Sequence, residues 1–246
     1  MKVYDAVANA FVKEGGTSVF GLLGDGQLTW WASMAKHPEV RLIDAREEGS
    51  GLAMAEGWAR ASGQVGVCSV THGPGLARLS LSLIAATRSR TPVVVHTATT
   101  SFNDEREIQY LNQDRFVTAA EAGYIEIMKP DYAEEAVRQA FYRARRELRP
   151  IVLSVPVDVA GKDCESEGEE YVVSTALGGG QQKIRPALDR VGGVGGLPRP
   201  LPRQAVGGPR PQAPCRARRP AGAGRRGGRA AGLVPPGGAG PAGAGA

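Results

Sequence analysis

Two short stretches carry most of the side chains that could do chemistry. Asp44-Ala45-Arg46-Glu47-Glu48-Gly49-Ser50-Gly51 puts a carboxylate pair where an apolar strand pattern gives way to an alanine-rich helix pattern. Thr71-His72-Gly73-Pro74-Gly75 follows another apolar run with a hydroxyl, an imidazole and glycines that let main chain approach a ligand. A buried carboxyl group can hold or donate a proton near neutral pH, and an imidazole can act there as an acid or hydrogen-bond donor. Both stretches also admit plainer roles. Glutamates suit the positive end of a helix dipole by about 0.3 to 1 kcal/mol, and His72 can be a satisfied loop histidine. A third stretch, Gly21-Leu22-Leu23-Gly24-Asp25-Gly26, matches neither G-x-G-x-x-G nor the P-loop and reads as a tight strand-to-helix turn. Cys68, Cys164 and Cys215 are too widely spaced for a C-x-x-C pair, so neither a disulfide framework nor a metal site is expected.

The elements that must position these groups alternate along the first 158 residues. Val3, Ala6, Val7, Ala10 and Phe11 recur at helical spacing, and Gly15-Gly16 end that helix. Strands are expected at 18–23, 40–44, 65–70, 92–97, 124–128 and 151–157, with helices at 28–36, 49–61 and from Gly75 to about Ser89. A polar loop is expected from Thr99 to Glu107. Asp131 and Glu134 have the spacing of a capping box for a helix whose apolar stripe is Ala133, Ala136, Val137, Ala140, Phe141, Ala144 and Leu148. The Val93-Val94-Val95 core is of the kind buried on both faces. This order predicts an α/β fold, a largely parallel sheet with helices on both faces, and a ligand crevice at the carboxyl ends of the strands.

In order and spacing, these motifs resemble the thiamine-diphosphate enzymes of the acetolactate synthase and benzoylformate decarboxylase superfamily. The likeness is to their N-terminal, pyrimidine-binding domain and covers about residues 1–160. Arg46-Glu47-Glu48 stands where that family has Arg-His-Glu. Glu56-Gly57-Trp58-Ala59-Arg60-Ala61-Ser62-Gly63 and Thr71-His72-Gly73-Pro74-Gly75 follow in their places, and Val19-Phe20-Gly21 and Thr91-Pro92-Val93-Val94-Val95 also fit. The resemblance implies that Glu48 is the catalytic carboxylate, which hydrogen-bonds N1′ of the aminopyrimidine and promotes proton loss from C2 of the thiazolium. It implies that Thr71, Gly73, Pro74 and Gly75 bind the cofactor. His72, in place of the usual Ser, could face the substrate. So could Gln109 or Gln113, although both could equally be exposed helix positions. Glu47, in place of the usual His, is either a solvated neighbour or a contributor.

The resemblance further implies thiamine diphosphate as cofactor, with Mg²⁺ held by a diphosphate-binding domain that this sequence does not match. Gly24-Asp25-Gly26 is not that domain's metal motif, because no Asn-Asn follows it at the family spacing. FAD is not expected. The site would be completed by a homodimer or by a complementary domain on another chain. A truncated acetolactate synthase-like enzyme, inactive alone, is the leading reading; a short subunit like that of sulfopyruvate decarboxylase is the alternative.

Composition changes abruptly near the end of the chain. The formal net charge is +5, yet residues 191–246 hold nine arginines and no Lys, Asp or Glu, which leaves 1–190 at −4. Gly, Ala, Pro and Arg make up 46 of those last 56 residues, too little apolar surface to offset ordering entropy, so the tail is expected to be disordered, an out-of-frame translation of a GC-rich gene. Residues 161–190 are expected as a linker. A lesser reading, an arginine-tail nucleic-acid binder, lacks any tail aromatic to stack on bases. No run reaches the roughly 18 apolar residues of a membrane span, and the N-terminus lacks a signal-peptide pattern, so a cytoplasmic protein is expected.

Overall fold

The computed structural model describes residues 1–101 and 104–177; the expected tail at 191–246 lies outside the described residues. Six strands form one all-parallel sheet in the order β2-β1-β3-β4-β6-β5. They are β1 Ser18–Gly21, β2 Arg41–Asp44, β3 Gly66–Ser69, β4 Val93–Thr99, β5 Gly123–Glu126 and β6 Pro150–Pro156. Every residue of β1, β3 and β6 is buried, whereas edge strand β2 is only partly covered.

Alternate strand residues feed two apolar layers, as the two-residue side-chain period requires. On one face Val19, Val67, Val94, Ile151 and Leu153 meet α1 (Val3–Lys13), α2 (Leu28–Met34) and α7 (Ala133–Glu147). Phe11 is fully buried there, edge-on to both Trp30 and Phe141 at 5.2 Å between centroids. On the other face Phe20, Cys68, Val93, Val95 and Val152 meet α3 (Glu48–Ser62), α5 (Ser80–Arg88) and α6 (Gln113–Ala119). The short helix α4 (Pro74–Ala77) precedes α5, so the single helix expected from Gly75 to Ser89 is broken at Arg78–Leu79.

Because β2 and β3 flank β1 on opposite sides, the connections leaving β1 and β3 diverge. A crevice therefore opens at their carboxyl ends, where doubly wound sheets bind ligands.

Two expectations are corrected. Asp131 and Glu134 form no capping box: Asp131 lies in a 3-10 turn (Pro130–Tyr132), and no side chain caps α7. Glu134 instead accepts from the Ser166 hydroxyl (2.9 Å) and the Glu167 N–H (2.6 Å). Residues 161–177, expected as linker, pack onto the domain as a strap. The Cys164 N–H donates to Met1 O (2.8 Å), and Tyr171 and Ser174 are buried. Glu14, wholly enclosed, accepts from Arg145 Nη1 (2.9 Å), Tyr171 OH (3.1 Å), and the Ser174 N–H (2.7 Å) and hydroxyl (2.6 Å).

Candidate active site

Glu48 opens α3 at the carboxyl edge of the sheet, its side chain 15% exposed. The preceding residue makes this helix start possible. Glu47 has extended backbone and caps α3, accepting from the Ser50 N–H (2.8 Å) and hydroxyl (3.2 Å). Hydrogen bonds from the Gly49 and Ser50 N–H groups hold the Glu47 carboxyl below its usual range, with a smaller contribution from Arg78. Glu47 is thus a helix cap, which serves Glu48 by fixing where its helix begins. Arg78, one turn beyond the glycine loop, sets its Nε 2.9 Å from Glu48 Oε2 and 3.5 Å from Glu47 Oε1. Glu48 is thus mostly enclosed, and its neighbouring guanidinium was not anticipated.

The loop after β3 lies against Glu48. Gly73 takes φ +58°, and a Cβ there would stand 2.0 Å from Gln109 O, so only glycine fits. A Cβ on Gly75 would reach 2.7 Å from Thr71 Cγ2 and 3.9 Å from Glu48 Oε1, closing the space in front of the carboxylate. Pro74 occupies the first turn of α4, where its missing N–H costs no hydrogen bond. Thr71 donates to Asp25 Oδ1 (3.1 Å), joining this loop to the one after β1. Desolvation opposes the ionised Asp25, but hydrogen bonds from Thr71 and the Gly26 N–H and the charge of His72 outweigh it and lower the Asp25 pKa.

His72 is buried, with Nε2 3.6 Å from Glu107 Oε2 and Nδ1 3.5 Å from Thr71 Oγ1. It lines a cavity of about 270 Å³ together with Asp25, Gly26, Asp104 and Glu107. A Cβ on Gly26 would come within 2.3 Å of His72 Nδ1, so this glycine admits the imidazole.

The two glutamines part company. Gln113 is buried at the start of α6 and spends its amide on structure, donating to Ala98 O (2.8 Å) and accepting from the Ser154 hydroxyl (3.1 Å). Gln109 lays its main chain against Gly73, and its Oε1 is buried with no protein donor among the described residues. Sequence reasoning gave Arg78 no role and read Asp25 and Glu107 only as loop residues, since only folding brings Arg78 to Glu48 and the other two to the cavity of His72. No group of three or more metal-ligating side chains occurs among the described residues.

The family model for thiamine pyrophosphate enzymes, N-terminal TPP binding domain, matches residues 1–120. Residues 1–120 are the N-terminal domain of a thiamine pyrophosphate enzyme. The chain is 30% identical over 164 residues to acetolactate synthase 1, chloroplastic, of Nicotiana tabacum, covering 63% of this chain and 24% of that protein. It is 30% identical over 182 residues to a probable acetolactate synthase large subunit of Methanocaldococcus jannaschii, covering 70% and 29%. It is also 26% identical over 175 residues to glyoxylate carboligase of Escherichia coli O157:H7, covering 70% and 30%. The matched stretch thus spans between a quarter and a third of these relatives. Membership of this family implies thiamine diphosphate as the cofactor. Among the described residues no helix is long and apolar enough to cross a membrane.

Proposed function

We propose that this chain supplies the glutamate-bearing half of the active site of a thiamine-diphosphate-dependent 2-oxo acid enzyme of the acetolactate synthase kind. The observation that carries this reading is Glu48, mostly enclosed at the head of α3, with the glycine loop after β3 packed beside it. The residues present fit an aminopyrimidine there: a carboxylate, and a loop whose Gly73 and Gly75 leave main chain uncovered beside it. When bound, the cofactor supplies an acidic C2–H and a sink for the electrons released by decarboxylation.

The rest of the chemistry is the work of this chain's side chains. Glu48 accepts and returns a proton at the ring nitrogen N1′, which requires it to exchange the Arg78 guanidinium for the ring. Thr71, Gly73, Pro74 and Gly75 hold the pyrimidine against main chain. From the wall of its cavity, His72 donates a hydrogen bond or proton to the substrate; of the two glutamines we assign Gln109, whose Oε1 has no donor among the described residues, rather than Gln113, whose amide is taken up by Ala98 and Ser154. Diphosphate and Mg²⁺ are held by a complementary diphosphate-binding domain on another chain, whether or not this chain also pairs with a second copy of itself; FAD takes no part.

The decisive experiment assembles the site with a diphosphate-binding partner and follows exchange of the cofactor C2 proton by NMR. Glu48→Gln should slow exchange at least 100-fold with the circular dichroism spectrum unchanged, an effect of the size general acid–base groups supply. Exchange at the wild-type rate in that variant would sink the assignment.

A further inference from the structure

The cavity beside His72 is lined by charge of one sign. Asp25, Asp104 and Glu107 bring carboxylates to its wall, which Ser101, Gly26 and Val157 complete, and no lysine or arginine lines it among the described residues. Glu107 faces the imidazole directly, its Oε2 3.6 Å from Nε2. Against desolvation, hydrogen bonds from Thr71 and the Gly26 N–H keep the Asp25 carboxyl below its usual range, so it is ionised at neutral pH. An adjoining cavity of about 290 Å³ shares Ser101 and Asp104 and adds Glu105, Asp114 and Glu126, again without a lysine or arginine among its described lining residues. Burial raises the Glu126 pKa, and the charge of Asp114 adds to the rise against a hydrogen bond with Tyr124. A cleft lined in this way focuses a negative field on whatever enters it.

We propose that the cavity beside His72 receives the part of the substrate beyond its reacting carbonyl, and that Asp25, Asp104 and Glu107 restrict that part to groups without negative charge. This rests on the reading of His72 as a substrate-facing group and adds to it the class of substrate that is refused: a 2-oxo acid with a second carboxylate, or a sulfonate, at its far end.

A short alkyl, hydroxyl or amide group is accepted instead, since Val157 offers it an apolar wall and Ser101 a hydroxyl. The carboxylate next to the 2-oxo group is common to all such acids and does not discriminate among them. Asp104 and Glu107 are the residues that can be neutralised without disturbing the site loops, because Asp25 is tied to Thr71.

The field is measured first, by NMR on the full chain without cofactor or partner. A cationic and an anionic nitroxide of equal size broaden proton signals according to how closely the local potential lets each approach. The His72 ring protons and the Gly26 amide proton should broaden several-fold more with the cation, and combining Asp104→Asn with Glu107→Gln should bring the ratio toward one. Equal broadening by the two, or more by the anion, would overturn the proposal. The second measurement uses the site assembled with a diphosphate-binding partner and compares 2-oxoglutarate with its side-chain amide, which is nearly the same shape and one charge less negative. For 2-oxoglutarate kcat/KM should be lower by about 30-fold or more, as repulsion between like charges at an effective dielectric constant of about 20 implies, and the double variant should shrink that gap to a few-fold. Equal use of the two acids by an assembly whose C2 proton exchange depends on Glu48 would overturn this proposal alone. Exchange indifferent to Glu48→Gln would overturn the underlying reading, and this proposal with it.

Discussion

Glu48 and Arg78 make a pair whose members serve different ends. The carboxylate is mostly enclosed, but the Arg78 side chain is 59% exposed, so the contact adds at most about 1 kcal/mol to stability. Arg78→Met should leave the urea midpoint almost unmoved. In an assembled site it should also raise thiamine diphosphate affinity a few-fold by calorimetry, because the competing cation is gone; lost affinity would instead make Arg78 a ligand. His96 yields a pH prediction with a definite sign. Folded and buried, it binds a proton only near pH 3, against an ordinary 6.5, so the unfolded chain holds more protons in between. Stability should therefore fall as pH drops from about 6.5 toward 3, and His96→Phe should remove part of that slope in urea titrations at successive pH values. Single residues were only partly legible in the sequence. The motif around Glu48 was readable because its neighbours are contiguous in the chain. Gln109 and Gln113 were not separable, because what distinguishes them is which carbonyl and hydroxyl lie nearby, Ala98 and Ser154 in one case and Gly73 in the other.

At the scale of elements, the strands and the helix stops at Gly15 and Gly63 were legible, and the start of α7 was not. A run such as Val93-Val94-Val95 announces a strand covered on both faces, and β4 puts Val94 into one apolar layer and Val93 and Val95 into the other. The capping box at Asp131 failed because the preceding Pro130 folds the segment into a 3-10 turn and the strap claims Glu134. Glycines within α3 and around it separate packing from backbone effects. Gly57 has nothing within 4 Å of where its Cβ would stand, so Gly57→Ala should stabilise the protein by about 0.5 to 1 kcal/mol. Gly63, at the left-handed end of α3, is equally open but has φ +73°, so Gly63→Ala should cost about 1 to 2 kcal/mol. Gly73→Ala adds the collision with the Gln109 carbonyl to a similar backbone penalty and should cost more than either, with the 107–111 segment displaced. Urea unfolding of the three variants should rank them in that order; a Gly73→Ala as mild as Gly63→Ala would mean that the Gln109 segment yields freely.

The strap sets where the molecule's cooperative unit ends. Its anchors are far apart in the chain: Glu14 reaches Arg145 across 131 residues and Ser174 across 160, distances at which no local pattern signals a contact. This is why composition alone placed the boundary near residue 160, at the end of the last strand. Arg138 extends the clamp, donating to Val172 O at 2.7 Å, pairing with Glu135 and Glu167, and lying 4.6 Å from the centre of the Tyr171 ring. Removing the strap would strip the fully enclosed Glu14 carboxylate of Ser174 and Tyr171 and leave Arg145 as its main partner. Each of the three hydrogen bonds lost to this carboxylate, from Tyr171 OH and from the Ser174 N–H and hydroxyl, contributes roughly 1.5 to 3 kcal/mol as a bond to a charged group. A chain ending after Leu177 should accordingly melt at a clearly higher temperature than one ending after Gly161, by about 10 °C or more at this size. Glu14→Leu in the longer chain should narrow that gap, because the buried charge that makes the strap necessary is then absent. Equal melting temperatures for the two truncations would show that the strap contributes nothing and that the domain closes at its sixth strand.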